Sequence, residues 1–151
     1  MYRKGIPMTL KDDLQDTMDK VVKAMYRLVS GDPEPYKALW SHTNDVTVLG
    51  GVGGFALGWK QVSENANAAA LPFHGAKSFE IKKLASSLSG DLAYSVWIEH
   101  GDVRVGARED YVQIVVRVTH VFRQEDGVWK IVHRHSDTVL DKAEAEAILQ
   151  R

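Results

Sequence analysis

The chain has 151 residues, 44% hydrophobic and 26% charged, with no cysteine and a formal net charge of -1. That length supports one domain with a real core, and the near-neutral balance gives no global basic field for nucleic acid or an acidic membrane. Disulfides and thiolate chemistry are excluded; the opening MYRKGIPMTLKDD lacks the apolar core of a leader and no run could span a bilayer, so a cytoplasmic protein is expected.

Residues 9 to 29 predict an amphipathic helix. Leu14, Met18, Val21, Val22, Met25 and Val29 make one stripe, and Thr9 supplies an N-cap ahead of aspartates that suit the helix dipole. Ser30-Gly31 ends it, and Asp32-Pro33 opens a short helix through Leu39. Val46 to Leu49 is a short strand leading into GGVGGFALGW. Gly51 to Ala56 matches the loose dinucleotide pattern, but helices precede the strand and hairpins follow, so the required parallel βαβ context is missing. Lys60 to Leu71 is an alanine-rich helix closed by Pro72. From Ser78 the chain is mostly strand, with a turn at Ser89-Gly90-Asp91. In the second of these runs Leu92, Tyr94, Val96 and Ile98 oppose Ala93, Ser95, Trp97 and Glu99, and the pattern leaves the inward face open.

The stretch from Asp110 to Val139 forms two long alternating runs around Asp126-Gly127. Both turn positions tolerate positive φ, which favours a two-residue hairpin pairing Phe122 with Ile131, His120 with His133 and Val118 with His135. A four-residue loop over Gln124 to Gly127 would set His120 opposite Ile131 instead. Either register leaves His120, His133, His135 and Asp137 on the face of Phe122 and Trp129; a bulge would break that parity. The tail from Asp141 to Gln150 is a further helix of high propensity. No internal repeat or linker divides the chain, so residues 1–151 are expected to form a single domain with its core over about 10–139.

Helices first, a short strand, another helix, then long antiparallel strands is an α+β order. SHTNDVTVLGGVGG followed by GWKQV, then SGDLAYSVWIE, then RVTHVFRQEDGVWKIVHRHSD resembles the SnoaL-like branch of the nuclear transport factor 2-like superfamily over residues 10 to 139. That superfamily also holds ketosteroid isomerases and the association domain of calcium/calmodulin-dependent kinase II. The resemblance implies a cone-shaped, curved antiparallel sheet wrapped around N-terminal helices, a cystatin-like α+β barrel. It also implies a homodimer with an apolar pocket between sheet and helices. It does not imply a reaction, because isomerases, cyclases, dehydratases and scaffolds share the fold. The aspartate base, tyrosine and protonated acid of ketosteroid isomerases have no identifiable motif in this sequence.

Three chemistries fit His120, His133 and His135. They could ligate zinc with one position open, act as acid–base groups with Asp137 orienting an imidazole, or be hydrogen-bonded core residues. No acidic residue at fixed spacing supports a metal centre, so no metal or cofactor is assigned. The acid–base candidates are His120, His133, His135 and Asp137. Trp40, Phe55, Trp59, Phe73, Val118, Phe122 and Trp129 are the expected walls of a pocket for a small, largely apolar organic molecule. The opposite hairpin face, with Val115, Val121 and Val132 among Arg117, Thr119 and Arg134, suits an isologous dimer interface. The expected function is ligand binding, extending to cofactor-free proton transfer of isomerase, dehydratase or cyclase type. The competing expectation is a non-catalytic association domain.

Overall fold

The structure is a computed structural model that describes residues 9–51, 53–139 and 142–150. Expectations placed on residues 1–8, on Val52 and on Asp141 lie outside the described residues.

Helix α1 (Leu10–Leu28) begins with a capping box. Thr9 Oγ1 accepts from the Asp12 amide at 3.2 Å, and the Asp12 carboxylate accepts in return from the Thr9 amide at 3.4 Å. Its buried face carries Leu14, Met18, Val21, Met25 and Leu28. In the short α2 (Glu34–Ala38), the Glu34 amide donates to Asp32 Oδ1 at 3.1 Å. Strands β1 (Thr47–Leu49) and β2 (Phe55–Leu57) then form a small antiparallel hairpin, with Val48 opposite Ala56. The glycine run is therefore a hairpin loop plus a strand that the sequence pattern did not announce, rather than a dinucleotide turn. Helix α3 (Gly58–Ala70) follows.

The remaining strands are β3 (Phe73–Ser89), β4 (Leu92–Val105), β5 (Val112–Glu125) and β6 (Val128–Thr138), and helix α4 (Lys142–Leu149) closes the described chain. Strand β3 starts ahead of the expected Ser78. The sheet order is β2-β1-β6-β5-β4-β3. Its pairs are antiparallel except β1 with β6, which run parallel. It does not close: β2 and β3 are its edges. Register shifts along β3 at Phe73/Ala76, Ala76/Ser78 and Lys83/Ala85 bend the long strands, because each extra residue adds local twist. The sheet curves around α1, and the core between them holds Trp40, Trp97, Trp129, Phe122 and Ile131. On β4 the inward face is Ala93, Ser95, Trp97 and Glu99, all buried, while Tyr94 is exposed.

The hairpin between β5 and β6 turns at Asp126-Gly127, with φ of 51° and 79°. This two-residue turn pairs Glu125 with Val128 and Phe122 with Ile131. The expected register ends there. Val121 pairs with His133, so Val132 is an extra residue in β6, and His120 faces Arg134 instead of His133. The outer edge of β6 changes partner at the same place. Before the bulge the Ile131 amide donates to Leu39 O and Ile131 O accepts from Ser41; after it, His133 pairs with Thr47 of β1. One extra residue exchanges the two faces of everything beyond it.

Gly127 sits where an L side chain meets its own carbonyl. Gly127→Ala is expected to lower stability by about 1–2 kcal/mol, seen as an earlier urea midpoint with an unchanged m value.

Candidate functional site

A cavity of about 490 Å³ lies between the helices and the inward face of the sheet. One wall is apolar and helical, built from Met25 and Leu28 of α1 and from Ala66, Ala68 and Ala69 of α3. The facing wall comes from Phe73 and Phe79 of β3 with Ile114 and Val116 of β5. The polar groups come from Tyr36, Asn65, Glu99, Arg134, Ser136 and Thr138. At the rim, Gly51 approaches β6 closely: a Cβ there would meet Thr138 Oγ1 at 2.9 Å.

Glu99 and Arg134 reach the cavity from β4 and β6. Their side chains are only 2% and 10% exposed, and they form a two-pronged ion pair. Arg134 Nη2 donates to Glu99 Oε1 at 2.8 Å and Nη1 to Oε2 at 3.0 Å. The Trp97 indole N–H donates to the same Oε2 at 3.2 Å. Behind the pair, Arg134 Nη1 lies 3.3 Å from His120 Nε2. Since arginine can only donate, that ring nitrogen is the acceptor and the imidazole proton sits on Nδ1. Among the described residues Nδ1 has no hydrogen-bond partner. Burial, then the charges of Arg134 and His133, push the His120 pKa well below its ordinary 6.5, so the ring is neutral. Burial opposes the charge on Arg134, but Glu99 and then Tyr36 more than offset it, and its pKa is raised. Burial also raises the Tyr36 phenol, against the opposing charge of Arg134, so it remains a neutral donor.

The candidate acid–base residues do not meet. His120 is inside and fully buried, T-stacked on Trp97 at 5.1 Å. His133, His135 and Asp137 lie on the outer face, because the bulge at Val132 reverses the parity that would have joined them to Phe122. His133 Nδ1 is 2.6 Å from Thr47 Oγ1. Asp137 orients no imidazole: Arg117 holds it through two 2.7 Å bonds, which lower its pKa, with a smaller contribution from His135. The histidines therefore cannot converge on one ion, and no metal-type cluster of histidines and carboxylates occurs among the described residues.

Of the expected wall residues, Phe73 lines the cavity. Trp40, Phe122, Trp129 and Val118 are buried in the core instead. Phe55 is 69% exposed on β2, and Trp59 stacks on His42 at 3.9 Å, packed against the core's margin. The exchanged parity also moves Arg134 from the expected outer face to the interior, and α4 covers Val115 together with Ile98. Glu99 and Arg134 were missed because charged residues in an alternating strand read as its solvent side, and Tyr36 because a helix as short as α2 carries too little pattern to show what its one buried aromatic faces. The adjacent β-branched pair Ile131-Val132, both packing on the core, was the available sign of a bulge.

An open curved sheet folded over helices, with an apolar cavity and a small polar floor, defines a conical α+β fold built around an internal cavity. The chain belongs to the SnoaL-like domain family, whose model matches residues 16–140. Solved structures share the fold. A ketosteroid isomerase-like protein from Erwinia carotovora atroseptica is 13% identical over 84% of this chain and 94% of its own, with a TM-score of 0.68. An NTF2-like protein of unknown function from Pseudomonas putida is 17% identical over 92% and 94%, TM-score 0.68. A candidate calcium/calmodulin-dependent protein kinase type II association domain from Thiobacillus denitrificans is 14% identical over 83% and 94%, TM-score 0.68. No curated protein matches the sequence. No helix among the described residues is long and apolar enough to cross a membrane.

The buried imidazole makes a pH prediction. The His120 pKa is depressed by folding, so the unfolded chain takes up its proton first. Its contribution to stability is complete above 6.5 and is lost as pH falls below that value. His133 is lowered too, chiefly by burial, and adds in the same direction. Asp45, held at about 2 first by Arg123 and then by Thr43, titrates far below this window. Melting curves between pH ~7.5 and ~5.5 should therefore fall less steeply for His120→Gln than for the wild type.

Proposed function

We propose that this protein binds a small, largely apolar organic molecule in the cavity, with one polar end of the ligand against Tyr36 and the Glu99–Arg134 pair. The observation that carries this reading is the cavity: about 490 Å³ with predominantly apolar walls and its charged groups gathered at one place. Size and make-up are those of small-molecule sites, where hydrocarbon contacts supply affinity and a few polar groups set orientation. Tyr36 donates to the ligand's polar atom, and His120 and Trp97 hold the ion pair that faces it. Proton transfer of isomerase, dehydratase or cyclase type at this site would use Glu99 as the carboxylate at the cavity. Both its oxygens already accept from Arg134 and one also from Trp97, which engages most of its lone pairs and favours binding and orientation as the main role.

The purified protein is expected to bind the neutral dye Nile red with a gain in fluorescence. Val116→Trp, which fills the cavity from β5, should weaken that binding at least ~10-fold with the circular dichroism unchanged. Undiminished binding by the variant would remove the cavity as the site.

A second reading, self-association, is favoured by the outer face of the sheet. Leu57, Thr47, His133, Val121 and Tyr94 lie side by side across it, and Phe55, Leu49, His135, Thr119 and Val96 form the next row. Phe55, Leu57, Leu49 and Tyr94 are exposed there at 69%, 54%, 36% and 43%. We infer a homodimer through this face, with the same patch contributed by both copies. Phe55→Glu should turn a dimer into a monomer in native mass spectrometry while leaving Nile red binding intact; a wild-type monomer would refute the interface.

A further inference from the structure

We infer that the Glu99–Arg134 pair makes the cavity selective for uncharged ligands that carry a hydrogen-bond acceptor at one end, such as a ketone or an ester, and rejects carboxylates of the same shape. This rests on the proposal that the cavity holds an apolar molecule.

The charges around the cavity cancel. Glu99 and Arg134 are its only charged lining groups among the described residues, and they neutralise each other through two hydrogen bonds. A ligand carboxylate at Arg134 would share one guanidinium with Glu99, so attraction to the first is offset by repulsion from the second. The cost of taking the carboxylate out of water would then go uncompensated. A ligand ammonium meets the mirror-image problem with Arg134.

A neutral ligand avoids both costs, and the hydrogen-bond inventory gives its polarity. Glu99 Oε2 already accepts from Arg134 Nη1 and from Trp97 Nε1, and Oε1 accepts from Nη2. No described residue accepts from Arg134 Nε or from the second Nη2 hydrogen. These two donors outnumber the one acceptor site left on Glu99, and the other polar lining groups, Tyr36, Asn65, Ser136 and Thr138, can each donate as well as accept. The floor of the cavity therefore offers hydrogens, and the fitting partner is a carbonyl or ether oxygen. Glu99 is the specificity-determining residue: without its charge, Arg134 would become an anion site.

The test is displacement of Nile red from the full chain by 2-decanone and by decanoate at neutral pH, a pair matched in length and differing in charge. In the wild type, 2-decanone should displace the dye at a concentration at least ~10-fold lower than decanoate. Glu99→Gln keeps the shape and removes the charge; it should reverse the order, with decanoate also raising the melting temperature of the variant. Glu99→Gln/Arg134→Met removes both charges and should restore the preference for the ketone. Equal competition by the two probes in the wild type overturns the inference even if Glu99→Gln fails to fold. So does an unchanged ratio in a folded Glu99→Gln. Failure of both probes and of the dye to bind would instead refute the binding reading, and the inference with it.

Discussion

Beyond Phe122 and Ile131, β6 carries one residue more than the strand it pairs with, and the interior of the cone follows from that residue. With Val132 inserted, Arg134, Ser136 and Thr138 point inward and His133, His135 and Asp137 point outward. The bulge falls where β6 gives up its hydrogen bonds to Leu39 and Ser41 and takes β1 as its neighbour. A regular strand cannot serve both partners without a change of course, and a bulge supplies one at the cost of a local break in the ladder. The edge strand pairing and the chemistry of the cavity are thus two results of one backbone event.

Bringing Arg134 inside is costly unless its charge is met. Each buried ion loses several kcal/mol of hydration, about the magnitude that a well-made pair can recover. Here the recovery is geometric. Glu99 offers both oxygens to the guanidinium, Trp97 completes one of them, and His120 takes another guanidinium hydrogen. The four residues come from adjacent strands β4, β5 and β6, so the sheet's register itself fixes their spacing. An apolar quartet of similar volume could pack the same space with no electrostatic debt. The polar one gives the cavity a floor with direction.

The sequence made much of the scaffold legible. The α1 stripe and its capping Thr9, the Asp126-Gly127 turn and the pairing of Phe122 with Ile131 all follow from local chemistry. The resemblance to SnoaL-like proteins supplied the α+β cone. The site was less readable because strand periodicity has memory: one unseen bulge reverses every later assignment. That error placed His133 and His135 in the pocket and Arg134 outside it. The face of β4 was undecided because Tyr94 and Trp97, both plausible core residues, lie on opposite sides; the structure buries Trp97 and with it Glu99. Strand β2 escaped notice because three residues after a run of glycines carry too little pattern.

The helical wall of the cavity has a different character from its floor. Ala66, Ala68 and Ala69 of α3 present methyl groups to the space, and leucine and methionine rank just behind alanine as helix formers, so exchanging one for the other costs well under ~0.7 kcal/mol in propensity. Single changes along that face would reshape the cavity while the ion pair, held by the opposite wall, stays where it is. The two walls are separable. The volume of the cavity can be changed by inexpensive steps on one wall, while the hydrogen-bonding pattern of the other is left intact.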